Sequence, residues 1–371
     1  MKERRYDIDW LRIGVIFLLF PFHSARVFDI WEPNYVKSAV TSTGISMVVF
    51  FIGFWFMALM FLLAGMSAWY ALKSRGPGQF ARERVLRLLI PLVFGILVVV
   101  PPQGYMARLA QGYHDGYLHY LAGYFTDFSD LSGYTGSFTP AHLWFILYLF
   151  VLSLVALPIF LWVKRRLALQ TQGGRPFALA GLMGKPLAVL LLFIPLTLTE
   201  ALPDIGGKNP FFYLLLLLAG FLLVGSSGAV QAIDRLKKPA LIALPFVVVL
   251  LSLMNLIWGF GSHDDFSAQQ ISMAFVRNLS LWLIILVLLG YGAKLINRPA
   301  KPLAYMSRAA FPVYILHQTV MMVWAYFVVR WGMPLWTQYF TIMLGSFVLT
   351  VGVYDLLVRR VAPLRVLFGV K

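Results

Sequence analysis

The chain has no cysteine among its 371 residues and few charged side chains, which make up 12% of the sequence. The missing cysteine excludes disulfides, thiolate metal ligands and a cysteine nucleophile. A soluble protein of this length carries about twice this charged fraction. With 60% hydrophobic residues, the composition indicates an integral membrane protein.

Several familiar catalytic motifs are also missing. The sequence has no Walker A loop, no G-x-S-x-G elbow, no H-E-x-x-H pair and no clustered set of metal ligands. These absences argue against an ATP-driven pump, a serine hydrolase and an intramembrane zinc protease. We expect no metal cofactor.

Long apolar runs predict the fold. Runs that approach or exceed the length needed to cross a hydrocarbon core of ~30 Å lie near 10–30, 45–72, 86–102, 143–163, 186–201, 210–227, 239–260, 274–294, 309–329 and 336–357. The fifth of these runs is the shortest. The sequence therefore predicts an all-α integral membrane protein, a bundle of about ten transmembrane helices forming a single domain over residues 1–371.

The basic residues predict how these helices are oriented. Of the 31 Lys and Arg, 24 lie at the two termini and in the connections near 73–87, 164–185, 228–238 and 294–308, whereas the alternate connections hold four. Cytoplasmic loops are enriched in Lys and Arg, so both termini are predicted to be cytoplasmic. The same distribution explains the net charge of +16 by contact with the lipid bilayer, without a nucleic-acid partner.

The first apolar segment contains a stripe of ionisable residues. Arg12 and His23 are eleven residues apart, about three helical turns, and so project from one face. Asp9 and Arg26 fall within about 60° of that face. Ionisable residues within a membrane are costly and mark functional sites. A neutral imidazole such as His23 is the usual group for taking a proton from a hydroxyl near neutral pH; a packing histidine bonded to a neighbouring carbonyl is the alternative.

A group of arginines opens the third apolar segment on its predicted cytoplasmic side. Arg82, Arg84 and Arg87 lie within six residues, and the last two share a helix face at i and i+3. Guanidinium groups beside a helix N-terminus favour a phosphate or another anion. Anchoring to lipid headgroups is the alternative.

Two later segments also carry histidines. Tyr314 and His317, in the ninth segment, either line a polar path near the middle of the membrane or form an interhelical hydrogen-bond cluster. His142 and Trp144 lie at the predicted outer mouth of the fourth segment, where such residues are also common as interfacial anchors.

The connection over 103–141 is longer than its neighbours and rich in tyrosine. Tyr113, Tyr117, Tyr120 and Tyr124 recur at spacings of four, three and four, which predicts one face of a helix. An amphipathic helix in the outer interface and an aromatic platform for a sugar or another acceptor are both consistent with this pattern.

The spacing from Arg12 to His23, preceded by Asp9-x-Leu11, resembles the signature of the membrane acyltransferase-3 family. Further motifs that fit this family are Phe61-Leu62-Leu63-Ala64-Gly65, Arg84-x-x-Arg87-Leu88 with Pro91, His142-Leu143-Trp144-Phe145 and Tyr314-Ile315-Leu316-His317. The resemblance covers essentially the whole chain. The residues over 142–150 are nearer to the glucan-modifying branch than to lipopolysaccharide acetylases.

The resemblance implies transfer of an acyl group, acetyl or succinyl, from cytoplasmic acyl-CoA to a hydroxyl of a cell-envelope glycan or related acceptor, at the bacterial cytoplasmic (inner) membrane. Arg84 and Arg87, with Arg82 beside them, would hold the CoA phosphates. Arg12 would orient the donor. His23 would act at the transfer centre, either as general base or as the nucleophile that forms an acyl-histidine.

The remaining residues of the predicted site have supporting roles. Asp9 would orient Arg12, and Arg26 would bind an anionic acceptor or stabilise the oxyanion. The other acceptor-side candidates are His142, Trp144, Tyr314 and His317. The rival hypothesis is a transporter or flippase for an anionic or acylated solute, with the Arg12/His23 stripe as its polar pathway; many transporters show paired repeats, and the sequence shows none.

Overall fold

The computed structural model describes residues 5–173, 175–259 and 266–370. Within these ranges the chain is helical and forms no β-strand. Lys2, Arg4 and Lys371, which count among the basic residues above, lie outside the described residues.

Eighteen α-helices are found in the described part of the chain. They are α1 (Tyr6–Ala25), α2 (Thr43–Gly53), α3 (Phe56–Ser74), α4 (Pro77–Arg84), α5 (Ile90–Phe94), α6 (Pro101–Ala110), α7 (Tyr117–Tyr124), α8 (Trp144–Val155), α9 (Leu157–Thr171), α10 (Ala178–Met183), α11 (Pro186–Leu190), α12 (Phe193–Thr199), α13 (Pro210–Gly225), α14 (Ala229–Trp258), α15 (Ala268–Leu295), α16 (Leu303–Val328), α17 (Leu335–Val353) and α18 (Ala362–Leu367). Three π-helical turns, Val85–Leu89, Gly95–Val99 and Tyr354–Val358, and a 3₁₀ turn, Ala141–Leu143, continue or join them.

Each predicted apolar segment coincides with helical structure. Seven stretches in the described ranges are long and apolar enough to cross a membrane: Tyr6–Ala25, Thr43–Ser74, Pro77–Ala110, Ala229–Trp258, Ala268–Leu295, Leu303–Val328 and Leu335–Val358. An eighth arises if the pair α8 and α9, bent by 51°, is one span. Two of the predicted segments are shorter apolar helices, Pro186–Thr199 and Pro210–Gly225. The multi-pass, all-helical class is confirmed, whereas the count of about ten spans and the orientation of the termini stay predictions.

The bend between α8 and α9 has a local cause. Pro158 is the second residue of α9 and has no N–H to donate to the carbonyl of Leu154, so the hydrogen-bond ladder is interrupted there. A single apolar run in the sequence thus becomes two helices that meet at Ala156.

The chain divides into two compact units. The first consists of Met1–Arg12, Phe54–Ala81 and Val151–Pro299; the second consists of Ile13–Gly53, Arg82–Phe150 and Ala300–Lys371. The first contains α3 packed against α13 and α14 packed against α15, and the second contains α16 packed against α6 and α17.

Two glycines allow α3 and α13 to touch backbone to backbone in the first unit. A Cβ added at Gly65 would lie 1.9 Å from the carbonyl oxygen of Leu217, and one added at Gly220 would lie 2.0 Å from that of Leu62. Small residues of this kind let membrane helices approach closely, because association there depends on packing and not on apolar burial.

This reciprocal contact predicts a large effect from one methyl group. We expect Gly220→Ala to lower the free energy of unfolding by about 1–3 kcal/mol, as overpacking does elsewhere. The matched control is Gly352→Ala in α17, where nothing lies within 4 Å of the added Cβ. Thermal unfolding in detergent measures both; equal stability of the two variants would contradict the close packing of α3 on α13.

In the second unit, α16 is the most buried of the seven candidate spans, with 67% of its apolar window inside the protein. Its buried side chains include Tyr314, His317, Gln318 and Thr319. Polar groups so far from solvent need hydrogen-bond partners or a function.

Candidate active site

Three histidines from three separate sequence motifs meet in the second unit. The ring centroid of His317, on α16, lies 5.2 Å from that of His23 on α1 and 5.1 Å from that of His142 in the 3₁₀ turn before α8. His317 is therefore the middle member of the cluster. Among the described residues, no group of His, Cys, Asp and Glu has an arrangement that could hold a metal ion.

Hydrogen bonds to α16 fix which nitrogen of two of these rings carries the proton. His142 Nε2 is 2.8 Å from the carbonyl oxygen of Ile315, and His317 Nδ1 is 2.5 Å from that of Tyr314. A carbonyl can only accept, so each of these nitrogens is an N–H donor. The opposite nitrogens, His142 Nδ1 and His317 Nε2, are buried without a hydrogen-bond partner in the described structure. The cluster thus presents two neutral imidazole lone pairs.

His23 differs from the other two histidines in its accessibility. His142 and His317 are buried, at 6% and 0% exposure, whereas His23 is half-buried. Its imidazole forms no hydrogen bond with any residue of the described ranges and packs edge-on against Phe22 at 5.0 Å. Of the three residues, His23 is therefore the one with appreciable exposed surface.

The turn that carries His142 is strained and firmly held. Ala141, just before it, has φ of 47°, a left-handed conformation that costs a non-glycine residue roughly 1–2 kcal/mol. The Ala141 N–H donates to Thr139 Oγ1 at 2.9 Å. The Tyr314 hydroxyl donates to the His142 carbonyl oxygen. Strain of this kind clusters at functional sites, and Tyr314 helps to maintain it.

The four tyrosines predicted to share one helix face do not all lie in one helix. Tyr113 precedes α7 and only Tyr117, Tyr120 and Tyr124 belong to it, while Tyr105 of α6 joins the cluster at 5.3 Å from Tyr117. Burial raises the pKa of Tyr124 to about 12. Its hydroxyl therefore stays protonated and donates to the Thr139 carbonyl oxygen at 3.2 Å. Tyr124 holds the loop that leads to His142.

Trp144 begins α8 two residues after His142. It is half-buried and packs edge-on against Tyr148 at 5.7 Å. Its position at the end of the strained turn places it next to the cluster along the chain, and its predicted role in acceptor binding stays a prediction.

Arg26 lies just after α1 in a buried ion-pair network. Its Nη1 is 2.8 Å from Asp29 Oδ2, and its Nη2 is 3.2 Å from Glu32 Oε2 and 2.9 Å from the Pro33 carbonyl oxygen. Lys37 Nζ lies 2.8 Å from Asp29 Oδ1. Because Arg26 already has these partners, the structure gives it a role in holding the segment after α1; substrate binding by Arg26 stays a prediction.

Arg12 is held by two groups of the first unit. Its Nη1 lies 3.3 Å from Asp9 Oδ1, and its Nη2 donates to Ser67 Oγ at 2.8 Å. The Ser67 hydroxyl in turn donates to the Leu63 carbonyl oxygen at 2.8 Å. Asp9 thus orients the guanidinium. Sequence reasoning missed Ser67, although a serine within the apolar run of α3 is a weak signal of such a partner.

The three arginines of the predicted phosphate site lie at an irregular point of the chain. Arg82 and Arg84 end α4, and Arg87 lies in the π-helical turn Val85–Leu89. This i→i+5 turn replaces the α-helical geometry from which a shared face was predicted for Arg84 and Arg87. Arg87 Nη2 is buried without a partner in the described structure, which suits an anionic ligand.

The fold and the site define a multi-pass helical membrane protein with neutral imidazoles clustered at a buried centre. A family model described as an acyltransferase domain matches residues 5–355, and the chain belongs to this acyltransferase-3 family. It is an acyltransferase. The resemblance seen in the sequence motifs is confirmed.

Curated relatives agree with this assignment. The chain is similar to proteins named glucans biosynthesis protein C from Salmonella paratyphi B, Salmonella agona and Salmonella enteritidis PT4. Each is 24% identical over 334 residues, which cover 85% of this chain and 81% of the relative. No solved structure matches.

Proposed function

We propose that this acyltransferase moves an acetyl or succinyl group from cytoplasmic acyl-CoA to a hydroxyl of a cell-envelope glycan, with His23 as general base. The observation that carries the proposal is the imidazole of His23, which is partly exposed and forms no hydrogen bond within the described residues, beside His317. The relatives' name points to a glucan as the acceptor class.

The proposed chemistry is a direct transfer. His23 takes the proton of the acceptor hydroxyl while the oxygen attacks the thioester carbonyl, and collapse of the tetrahedral intermediate breaks the C–S bond. The proton then passes from His23 to the leaving thiolate, which gives an ester and free CoA. Alignment of the two substrates supplies a large part of the rate.

The negatively charged phosphates of acyl-CoA would be bound by arginine side chains. Arg84 and Arg87, with the exposed Arg82, would bind the CoA phosphates, supported by the unpartnered, buried Nη2 of Arg87. Arg12, kept in place by Asp9 and Ser67, would orient the donor.

The acceptor would be bound by groups that still have hydrogen-bonding capacity. The lone pair of His142 Nδ1, unpartnered within the described residues, suits a hydroxyl donor; His317 would line the site beside His23, and Trp144 offers an apolar surface to a sugar. Arg26 and Tyr314, which already have partners, would shape the site. The proposal includes a single domain over 1–371, about ten spans, cytoplasmic termini and an inner-membrane location.

The donor side makes a testable prediction. We expect Arg84→Ala with Arg87→Ala to weaken acetyl-CoA binding about 10²–10⁴-fold, since hydrogen bonds to charged groups contribute about 1.5–3 kcal/mol each. Calorimetry on detergent-purified protein measures this effect. The affinity for free CoA should fall by the same factor because free CoA carries the same phosphates. The matched control is Arg298→Ala, which removes an exposed arginine. An unchanged dissociation constant in the Arg84/Arg87 double variant would indicate that these two arginines anchor the protein to lipid headgroups.

Transfer itself is tested with purified protein, acetyl-CoA or succinyl-CoA, and a soluble glucan oligosaccharide. Free CoA can be followed with a thiol reagent without protein background because the chain has no cysteine. Mass spectrometry should find one acyl group on the glycan for each CoA released. A well-folded protein that binds no CoA species and moves an acylated solute across a vesicle membrane would support the transporter hypothesis.

A further inference from the structure

Among the described residues, no carboxylate orients the proposed base. A catalytic base is generally held by a third group that fixes its ring and stabilises its protonated form. The nearest acid further along the chain is Asp29, whose oxygens accept hydrogen bonds from Arg26, Lys37 and the Trp31 N–H. Within the described ranges no acidic side chain bonds His23.

His317 has the properties that such an orienting group needs. Its Nδ1–H bond to the Tyr314 carbonyl oxygen makes Nε2 the acceptor nitrogen, and that nitrogen is buried with no partner among the described residues. An acceptor left in this condition costs about 1–3 kcal/mol. The ring therefore gains stability from any N–H that approaches Nε2.

The distance between the two rings suits a direct bond. A linear N–H···N hydrogen bond of about 2.9 Å joins imidazoles whose centroids are about 5 Å apart, and the observed separation of His23 and His317 is 5.2 Å. The rings are inclined by 49°. The direct bond therefore requires a rotation of the half-buried His23 side chain that turns its N–H toward His317 Nε2.

His317 cannot rotate in the same way. The ring of His142 stands nearly perpendicular to it, at 84° and 5.1 Å, and His142 is itself bonded to the Ile315 carbonyl oxygen. Phe20 packs against His317 at 6.0 Å. The acceptor nitrogen is thus held in one direction.

We infer that His317 is the positioning residue of His23: its Nε2 accepts a hydrogen bond from the His23 N–H and stabilises the imidazolium that forms when His23 takes the acceptor's proton. A neutral imidazole thus does what a carboxylate does in serine hydrolases. His317 gains and loses no proton, since the proton moves from the hydroxyl to His23 and then to the CoA thiolate. This inference rests on the proposed role of His23.

Two substitutions of similar size separate positioning from packing. His317→Asn can keep the bond to the Tyr314 carbonyl, because its amide nitrogen replaces Nδ1, but it has no atom at Nε2. His317→Gln can place its amide oxygen near Nε2. Turnover is measured with acetyl-CoA and either a glucan oligosaccharide or water as acceptor. We expect the His317→Asn variant to have a kcat about 100-fold lower than the parent, within the range contributed by acid–base catalysis. We expect Gln to stay within about tenfold of the parent, and KM for acetyl-CoA to remain unchanged in both.

The opposite order, with Asn active and Gln impaired, would overturn the inference and leave His317 a packing residue. The matched control is His119→Ala, which replaces a histidine on the surface of α7 whose side chain is 77% exposed. Acetyl-CoA binding and gel filtration establish that each variant is folded.

A double-variant cycle separates this inference from the proposed function. If His317 acts through His23, His317→Asn should cost nothing further in a His23→Ala background. Independent, multiplicative losses would overturn the positioning role but leave His23 as the base. Unchanged turnover of His23→Ala alone would overturn the proposed function itself. Where His23→Ala has no measurable turnover, the order of the Asn and Gln variants decides.

Discussion

His23→Ala is expected to lower kcat for acyl transfer by about 10²–10⁴-fold, the range contributed by a positioned general base. Without this imidazole the acceptor hydroxyl must attack while still protonated, since the other two rings of the cluster are buried. Acetyl-CoA binding should be unchanged because its proposed phosphate contacts lie at Arg84 and Arg87. CoA release and glycan acylation measure the loss.

Two comparisons sharpen this experiment. His119→Ala should be as active as the parent, and turnover of His23→Ala at the parental rate would contradict the assignment. Acid quenching during turnover, followed by mass spectrometry of the peptide over 13–26, distinguishes direct transfer from an acyl-histidine. Direct transfer predicts an unmodified peptide, whereas an acyl group on His23 would make it a nucleophile.

Asp29→Ala is expected to lower the free energy of unfolding by about 3–5 kcal/mol, the cost of breaking a buried ion pair by removing one partner. Asp29 is fully buried, and its loss leaves the 8%-exposed Arg26 guanidinium with Glu32, which is itself 75% exposed. Thermal or denaturant unfolding in detergent measures the effect.

Glu32→Ala is the matched control because it removes a carboxylate from the same guanidinium. Because the Glu32 carboxylate is exposed, water screens its attraction to Arg26, and the pair should contribute little more than the ~1 kcal/mol of surface pairs. This variant should therefore be nearly as stable as the parent. Adding Arg26→Met to Asp29→Ala should recover part of the loss, since no buried charge is then left without a partner. Equal destabilisation by the two single variants would show that burial of Asp29 does not determine the effect.

The helical class was predictable because hydrophobicity and charge are local properties of a sequence. The Arg12-to-His23 spacing placed both residues on one helix, and α1 contains both. The sequence also indicated His142 and His317 as candidate site residues, but it did not predict that these two rings lie together with that of His23. Contacts between distant segments depend on packing, which hydropathy and spacing in one sequence do not encode.

Other features depended on backbone detail. Gly112, with φ of 88°, separates α6 from Tyr113 and breaks the tyrosine periodicity. The π-helical turn Val85–Leu89 changes the relation of Arg84 to Arg87 without any Pro or Gly within it. Backbone conformations of this kind depend on tertiary packing and therefore cannot be predicted from residue spacing.

The hydrogen bonds from His142 and His317 to consecutive carbonyls of α16 have a consequence for product release. Both N–H groups bond carbonyl oxygens of α16, so neither of these two rings offers an N–H donor to a ligand. An alcohol satisfies such a surface, whereas the ester oxygen formed from it has no hydrogen left to give. In the proposed reaction, acylation removes the hydrogen bond that the acceptor hydroxyl donates at this centre, so we expect the acylated product to bind more weakly than the unmodified acceptor.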